Sequence, residues 1–250
     1  MTAPRDHYSY TVYADPATAT TFDDRRFGGP IGDLIATDQA ATLRAFAGPV
    51  AGRRVLDVGT GTGRAALLFA KGGAAVTALD ASTEMLAVGR RRAAAEGADV
   101  RFLRGDAHAL GFADRSFHVA VCLRVLMHAP SWEQCVKELC RVADHLVIVD
   151  YPSAQSLAKL QSLGRSAVHT LGVRTEPYRV LADRQVAEAF ARHGFQVRSV
   201  RRQFVLPIAL HKAINSRGFT VRCESALDRL GLLERFGSPV TIAAERCAPS

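Results

Sequence analysis

The feature that most constrains this 250-residue chain is a short apolar run that leads directly into a glycine-rich turn and then into a helix-like segment. The sequence there reads Val55-Leu-Asp-Val-Gly59-Thr-Gly61-Thr-Gly63-Arg64. Glycine lacks a side chain and tolerates positive φ, so the backbone of such a turn can come close to a ligand. The following helix presents free N–H groups and the positive end of its dipole to the same place. The order strand, turn, helix therefore predicts an α/β unit with a ligand site at the turn.

The spacing of the glycines limits what this turn can bind. Turns that bind a nicotinamide dinucleotide have the spacing G-x-G-x-x-G, whereas this turn has G-x-G-x-G. An acidic residue, Asp57, lies at the end of the predicted strand. Its charge repels a pyrophosphate and can attract a cation, directly or through water. Both features argue against a dinucleotide.

Residues 50–150 alternate between short apolar runs and longer segments of helical periodicity, which is typical of a parallel sheet covered by helices. Glycines stand where two of the helices should end, at Gly72-Gly73 and Gly97. Ser131 is the predicted N-cap of the third helix. We predict strands over residues 53–58, 75–79, 100–104, 118–122 and 145–149, and helices over residues 64–71, 83–96 and 131–142.

The remaining segments complete a prediction of one domain over residues 1–250. Residues 1–50 form an N-terminal cap that can cover a site, residues 51–150 form the binding core, and residues 151–250 form a C-terminal half with substrate-side insertions. The cap begins with Tyr8, Tyr10 and Tyr13 and has a predicted helix near residues 34–47.

Two insertions are predicted in the C-terminal half, near residues 151–182 and 206–236. The first contains an amphipathic run over residues 153–170, and the second contains a helix near residues 221–235. A helix over 183–193 and strands over 195–204 and 240–245 are also predicted. The predicted fold class is α/β, a doubly wound, mostly parallel seven-stranded sheet with an N-terminal helical cap and two helical insertions.

Composition argues against several classes of protein. No window is long and apolar enough for a membrane span, and the N-terminus lacks the basic and apolar pattern of a secretory signal, so we expect a cytoplasmic protein. The five cysteines are odd in number and none has the Cys-x2-Cys spacing of a zinc site, which argues against a disulfide framework or structural metal. The net charge of +8 comes from 28 Arg and 4 Lys that are spread along the chain, so no nucleic-acid partner is expected.

Further motifs follow the glycine turn in a fixed order. Asp80 ends the second predicted strand in Ala78-Leu-Asp-Ala-Ser82, and Gly105-Asp106-Ala107 follows the third strand. Residues 116–128 span the fourth strand and the loop after it, and Glu138-Leu-Cys-Arg141-Val142 precedes the fifth strand. With the glycine turn, this series resembles the class I S-adenosylmethionine-dependent methyltransferases. The chain departs from that family at His118, where Asp is usual, and at Ala143-Asp144, which replaces a Pro-Gly-Gly turn.

The resemblance implies that the cofactor is S-adenosyl-L-methionine and gives each matched residue a role. It implies that Asp80 accepts hydrogen bonds from both ribose hydroxyls and that Asp106 accepts one from the adenine amino group. Met85 can pack on the adenine, and Arg26 of the cap can bind the cofactor carboxylate. No metal site is predicted. The predicted cofactor-binding residues are Asp57, Gly59, Thr60, Gly61, Gly63, Asp80, Ala81, Met85, Asp106, Ala107, Leu123 and Arg26.

His128 is the one candidate catalytic residue, because it follows the fourth strand at the rim where donor and acceptor should meet. It is either a general base or a structural histidine. His169 and His211 lie in the insertions and are further candidates for an acceptor pocket, whose apolar walls we expect to include Leu157, Leu160, Phe219 and Leu227.

The segment Cys122-Leu-Arg-Val125 lacks the Asn/Asp-Pro-Pro-aromatic pattern of enzymes that methylate the amino groups of bases and amides. The arrangement of cap, core and insertions is similar to that of small-molecule methyltransferases, including those of quinone biosynthesis. We therefore expect methyl transfer to an oxygen or an activated carbon of a small-molecule acceptor, phenolic or quinol-like. The alternatives are an RNA or protein methyltransferase and a non-catalytic scaffold that binds S-adenosylmethionine.

Overall fold

The structure, a computed structural model, describes residues 15–156 and 179–248. Its central element is a seven-stranded sheet with the strand order β3-β2-β1-β4-β5-β7-β6. Strands β1 to β5 are parallel to one another, whereas β7 is antiparallel to both β5 and β6. The strands are β1 (Arg54–Val58), β2 (Ala75–Asp80), β3 (Val100–Arg104), β4 (Phe117–Cys122), β5 (Ala143–Tyr151), β6 (Phe195–Phe204) and β7 (Ser238–Arg246).

The direction in which strands are added reverses between β1 and β4. The chain places β2 and β3 on one side of β1 and then returns to place β4 and β5 on the other side. In open parallel sheets of this kind, ligands bind outside the carboxyl ends of the strands at the point of reversal. The topology therefore places a site at the ends of β1 and β4.

Helices cover both faces of the sheet, and each face has its own apolar core. Side chains of β5 alternate between the two cores, with Val147 and Val149 in one and Leu146 and Ile148 in the other. The helices are α1 (Pro16–Phe27), α2 (Gly29–Ala47), α3 (Arg64–Lys71), α4 (Thr83–Ala95), α5 (Trp132–Val142), α6 (Asp183–Ala191), α7 (Ile208–Ile214), α8 (Arg217–Arg229) and α9 (Leu232–Phe236).

The predicted fold class is confirmed, and the strands and helices of the core differ from their predicted bounds by only a few residues at their ends. Ser131 lies at the N-cap position of α5 as predicted, but its side chain makes no capping hydrogen bond. Within the described residues, no helix is long and apolar enough to cross a membrane. The three N-terminal tyrosines lie outside the described residues, and so does most of the amphipathic run over 153–170, from residue 157 onwards.

The cap contains two helices where the sequence predicted one. Helix α2 begins at Gly29, earlier than the predicted start near residue 34, and α1 precedes it. The two meet at Gly28, where an added Cβ would lie 2.3 Å from the carbonyl oxygen of Asp24. Such close contact between backbones requires glycine at the join.

The prediction of one helix near residues 221–235 is wrong, because the second insertion consists of α7, α8 and α9. Asn215 ends α7 with φ of 52°, and Gly231 separates α8 from α9 with φ of 71°. Both residues have the left-handed backbone conformation, which interrupts a right-handed helix.

Arg141 fixes the loop between β3 and β4 to helix α5. Its guanidinium donates hydrogen bonds to both carboxylate oxygens of Glu138, to the carboxylate of Asp114 and to the carbonyl oxygens of Leu110 and Phe112, at 2.7–2.9 Å. Glu138 in turn accepts the backbone N–H of Leu110 at 2.8 Å. The motif Glu138–Arg141 therefore has a structural role, because it joins α5 to the loop between β3 and β4.

We predict that Arg141→Met lowers the free energy of unfolding by about 2–4 kcal/mol, because it leaves Glu138 without its ion pair and two loop carbonyls without a donor. Urea denaturation measures this change. The control is Arg184→Met, which removes an exposed pair with Glu188 and should cost less than about 1 kcal/mol. Equal losses for the two variants would contradict the role assigned to Arg141.

Candidate active site

A first cavity of about 180 Å³ lies at the carboxyl ends of β1, β2 and β4, where the topology places a site. Every predicted cofactor-binding residue except Gly63 lines this cavity, and so does His128. Gly63 lies just behind the lining as the N-cap of α3, with φ of 84°. The sequence motifs are therefore brought together in space by the order of the strands.

The glycine turn is held against the end of β2 by backbone hydrogen bonds. The N–H groups of Gly59 and Thr60 both donate to the carbonyl oxygen of Leu79, at 2.7 and 3.0 Å. Gly59 has φ of 69°, and an added Cβ would lie 2.1 Å from Cγ2 of Val125. No other residue fits this position without moving the loop after β4.

Asp57 is a buried residue that stabilises the turn by accepting hydrogen bonds. Its Oδ2 accepts the hydroxyl of Thr60 at 2.6 Å and the backbone N–H of Ala66, in the first turn of α3, at 3.1 Å. Gly63 has no side chain to cap α3, so Asp57 supplies the missing acceptor. Burial raises the pKa of Asp57 to about 6. Within the protein this carboxylate serves the turn and the helix, although it also lines the cavity.

Asp80 presents a carboxylate that is oriented by the backbone on both sides. Its Oδ2 accepts the N–H of Gly61 at 2.7 Å, and its Oδ1 accepts the N–H of Ser82 at 2.9 Å. A carboxylate oxygen can accept a second hydrogen bond, so each oxygen retains capacity for a ligand in the cavity. Burial raises the pKa of Asp80.

Asp106 is oriented by His108, which the sequence analysis did not single out. Oδ1 of Asp106 accepts the backbone N–H of His108 at 2.9 Å and lies 2.7 Å from its Nδ1. The backbone N–H of Ser131 points to Nε2 of the same ring at 3.4 Å, which assigns the ring hydrogen to Nδ1. An acidic residue two positions before a histidine is too common a pattern to have indicated this contact.

The cap is attached to the turn by polar contacts of Asp23 in α1. Its carboxylate accepts a hydrogen bond from Nη1 of Arg92 in α4 at 2.5 Å and another from the hydroxyl of Thr62 at 3.0 Å. The guanidinium of Arg64 lies 3.8 Å from the centre of the Phe27 ring, which is cation–π geometry. Asp23 and Arg64 were also missed by the sequence analysis, because each acts through a contact with a distant segment.

A second cavity of about 470 Å³ adjoins the first. It extends between α1, α2, the ends of β5 and β6, and residues 205–209. Phe22, Arg26, Phe27, Gln39, Arg124 and His128 line both cavities, so these residues form the boundary between them. His128 is buried, and its backbone N–H donates to the carbonyl oxygen of Val125 at 2.8 Å.

His211 lines neither cavity and has a structural role. Its Nε2 lies 2.7 Å from Oε1 of Glu224, and its Nδ1 lies 3.1 Å from the hydroxyl of Thr220. Glu224 also accepts the backbone N–H groups of Val205 and Leu206. This buried cluster joins α7 and α8 to the end of β6.

The other candidates for acceptor-pocket residues fall in two groups. Phe219 is 42% exposed, and neither it nor Leu227 is among the lining residues of the second cavity. His169, Leu157 and Leu160 lie outside the described residues. Among the described residues, no cluster of three His, Cys, Asp or Glu side chains is arranged to hold a metal ion.

Comparison with known proteins gives this arrangement a family. Residues 55–145 match the model of a family described as a methyltransferase domain. A demethylmenaquinone methyltransferase of Clavibacter sepedonicus is 32% identical over 201 residues, which are 72% of this chain and 80% of that protein. The chain belongs to the class I S-adenosylmethionine-dependent methyltransferases.

Other matches agree with this result. A demethylmenaquinone methyltransferase of Thermus thermophilus is 38% identical over 105 residues, 40% of this chain and about half (48%) of that protein. The crystal structure of magnesium protoporphyrin IX methyltransferase from Synechocystis PCC 6803, with bound SAH, covers 95% of this chain and 99% of its own at 17% identity and a TM-score of 0.64. That likeness concerns the fold.

S-Adenosylmethionine is the methyl donor of this methyltransferase family, and the first cavity fits it. An added Cβ at Gly61 would meet no protein atom within 4 Å, so the cavity is open in front of the turn. Asp80 and Asp106 would hold the ribose hydroxyls and the adenine amino group. Arg64 also lines the cavity, and its buried Nε has no hydrogen-bond partner in the described structure. Together with Arg26, it would hold the carboxylate of the donor.

We predict that Asp80→Ala weakens binding of S-adenosylhomocysteine by about 1.5–3 kcal/mol, because it removes charged acceptors for the ribose. Titration calorimetry measures the affinity. Asp99→Ala is the control, since it removes one exposed carboxylate before β3 and leaves the cavity intact. An unchanged affinity in Asp80→Ala would exclude Asp80 from the donor site.

Proposed function

We propose that this methyltransferase moves a methyl group from S-adenosylmethionine to an oxygen or an activated ring carbon of a small-molecule acceptor, phenolic or quinol-like. The observation that supports this most directly is the second cavity, which opens on the donor cavity through a shared wall that includes His128. The names of the relatives, demethylmenaquinone methyltransferases, indicate the same class of acceptor.

The shape of the second cavity favours a small acceptor over RNA or a protein. Its walls are the two cap helices, the strand ends and the second insertion, and apolar residues such as Ile35, Met127 and Phe204 line it. A nucleic acid is usually bound by a dense cluster of positive charge, whereas the Arg and Lys residues of this chain are spread along the sequence. We therefore expect no nucleic-acid partner.

The charges around the second cavity suit an acceptor that loses a proton. Among the described residues that line it, the cations are Arg25, Arg26, Arg124 and Lys212, and Asp150 is the one acidic residue. Positive groups that are already in place stabilise the negative charge that develops on a phenolic or enolic oxygen. Lys212 is held by the carbonyl oxygens of Arg25 and Arg26 at the end of α1, at 3.1 and 2.8 Å.

The donor supplies an electrophilic methyl group, so the protein needs mainly to orient the acceptor and exclude water. Correct orientation can contribute about 7–11 kcal/mol to lowering the barrier. The cap residues Phe22 and Phe27 would exclude water from the boundary between the cavities. His128 lies at the same boundary, where its ring would take the proton of the attacking hydroxyl.

We predict that the purified chain transfers methyl groups from S-adenosylmethionine to members of a panel of phenols, naphthols and naphthohydroquinones, detected by mass spectrometry. A scaffold that only binds the donor would form no S-adenosylhomocysteine with any member of the panel. Transfer to RNA or to a protein, with none to the panel, would instead support the alternative function. Asp80→Ala serves as the control, because it should lower every true turnover.

We predict that His128→Gln lowers turnover by about 10²–10⁴-fold while the affinity for S-adenosylhomocysteine stays the same, because the general base is lost. The loss should shrink at high pH for an acceptor that ionises by itself. The matched control is His193→Gln, outside both cavities. If His128 is structural, the melting temperature falls instead and the folded fraction keeps its rate to within about threefold.

A further inference from the structure

Asp150 is a buried carboxylate in the wall of the second cavity. It lies near the end of β5, where Leu146 and Ile148 enter the core on alternate positions. Asp150 is the next residue on that face of the strand, because side chains of a strand alternate between its faces. At this position the strand lines the second cavity and no longer the core, although Asp150 is only 3% exposed to solvent.

The hydrogen bonds that Asp150 accepts within the protein leave part of the acceptor capacity of its carboxylate unfilled. Its Oδ1 accepts the backbone N–H of Arg124. Among the described residues, the only other donor to this side chain is its own backbone N–H, and no side chain forms an ion pair with it. Two carboxylate oxygens can accept about four hydrogen bonds. A buried charge with so few partners is costly unless a ligand supplies further donors.

Arg124 is the residue that shapes this corner of the cavity. Its φ of 64° is unusual for a residue with a side chain and turns its N–H towards Asp150. Its Nε is buried and has no hydrogen-bond partner in the described structure. Arg124 lines both cavities, so Asp150 and Arg124 together mark the acceptor side of their boundary.

The surrounding charges indicate which chemical group Asp150 would bind. Arg124 follows β4, Arg25 and Arg26 lie on α1, and Lys212 lies on α7. An ammonium group would be repelled by these four cations. A neutral hydroxyl is not repelled, and its hydrogen can be donated to the carboxylate. Burial raises the pKa of Asp150 while the charge of Arg124 acts in the opposite direction.

We propose that Asp150 is a specificity-determining residue that accepts a hydrogen bond from a hydroxyl group of the methyl acceptor, with the guanidinium of Arg124 beside it. The subsite selects hydroxylated aromatic acceptors over their ethers. This inference rests on the proposed function, since it assigns the second cavity to the acceptor. Asp150 has a role in binding only, and the proton transfer remains with His128.

The test compares two ligands of nearly the same shape, naphthol and methoxynaphthalene, on the full chain saturated with S-adenosylhomocysteine. Titration calorimetry is performed at a pH well above the usual range for a carboxyl group. We expect the unaltered protein to bind naphthol about ten- to a hundredfold more tightly, the effect of a hydrogen bond to a charged group. In Asp150→Asn, whose amide oxygen can still accept a hydrogen bond but carries no charge, this preference should fall by at least about threefold.

Two further variants keep the result interpretable. Asp183→Asn is the matched control, because Asp183 is a carboxylate close to the end of β5 that binds Tyr151 and Arg202 and lines neither cavity. It should keep the full preference for naphthol. Asp150→Ala replaces Asp150→Asn if the amide variant loses its binding of S-adenosylhomocysteine, and it should also lose the preference.

Either of two results would overturn the role of Asp150. One is an unaltered protein that shows no preference for naphthol, and the other is a preference that stays undiminished in an Asp150 variant that still binds S-adenosylhomocysteine. The proposed function fails separately, when the unaltered protein methylates no member of the acceptor panel. A selective preference for naphthol that depends on Asp150 would then still show a hydroxyl-binding subsite.

Discussion

The site depends on one constraint, the attachment of the glycine turn to the end of β2. Two backbone N–H groups of the turn share the carbonyl oxygen of Leu79, and a third donates to the carboxylate of Asp80. The same contacts therefore set the path of the turn and the orientation of the Asp80 carboxylate, which lines the first cavity. This path requires glycine at position 59, because the side chain of Val125 occupies the space that a Cβ would need. Parallel pairing of β1 with both β2 and β4 brings these segments to one edge.

The second cavity depends on polar contacts between segments far apart in the chain. Asp23 binds Arg92 and Thr62 below the cap, and Asp38 of α2 accepts hydrogen bonds from Arg201 and Gln203 of β6. Lys212 holds the end of α1 from the second insertion. Exposed ion pairs contribute little to stability, but they fix relative positions. The cap and insertion thus form the walls of a cavity beside the donor site.

Sequence reasoning succeeded where a regular pattern of residues defines an element, and failed where the backbone conformation of one residue or a contact between distant segments decides the structure. Val100–Arg104 and Arg64–Lys71 have the predicted bounds, since apolar periodicity and glycines define them. The join at Gly28 depends on contact with Asp24, and the division of the second insertion depends on left-handed backbone at Asn215 and Gly231. The predicted cofactor-binding residues other than Arg26 came from the order of the motifs, and all of them except Gly63 line the first cavity. His108, Arg64 and Asp150 were not predicted, because only the folded chain brings them to a cavity wall.

Three buried carboxylates lie along the carboxyl edge of the sheet, and they differ in how far the protein satisfies them. Asp57 accepts the hydroxyl of Thr60 and the N–H of Ala66, Asp80 accepts a backbone N–H on each oxygen, and Asp150 accepts the N–H of Arg124 on one oxygen. Burial raises the pKa of all three groups. Their negative charge favours a cationic sulfonium donor beside Asp57 and Asp80, since charges interact strongly where water is excluded. Among the described residues, Asp150 accepts a hydrogen bond from only one other residue, and of the three carboxylates it is the one that lines the second cavity and not the first.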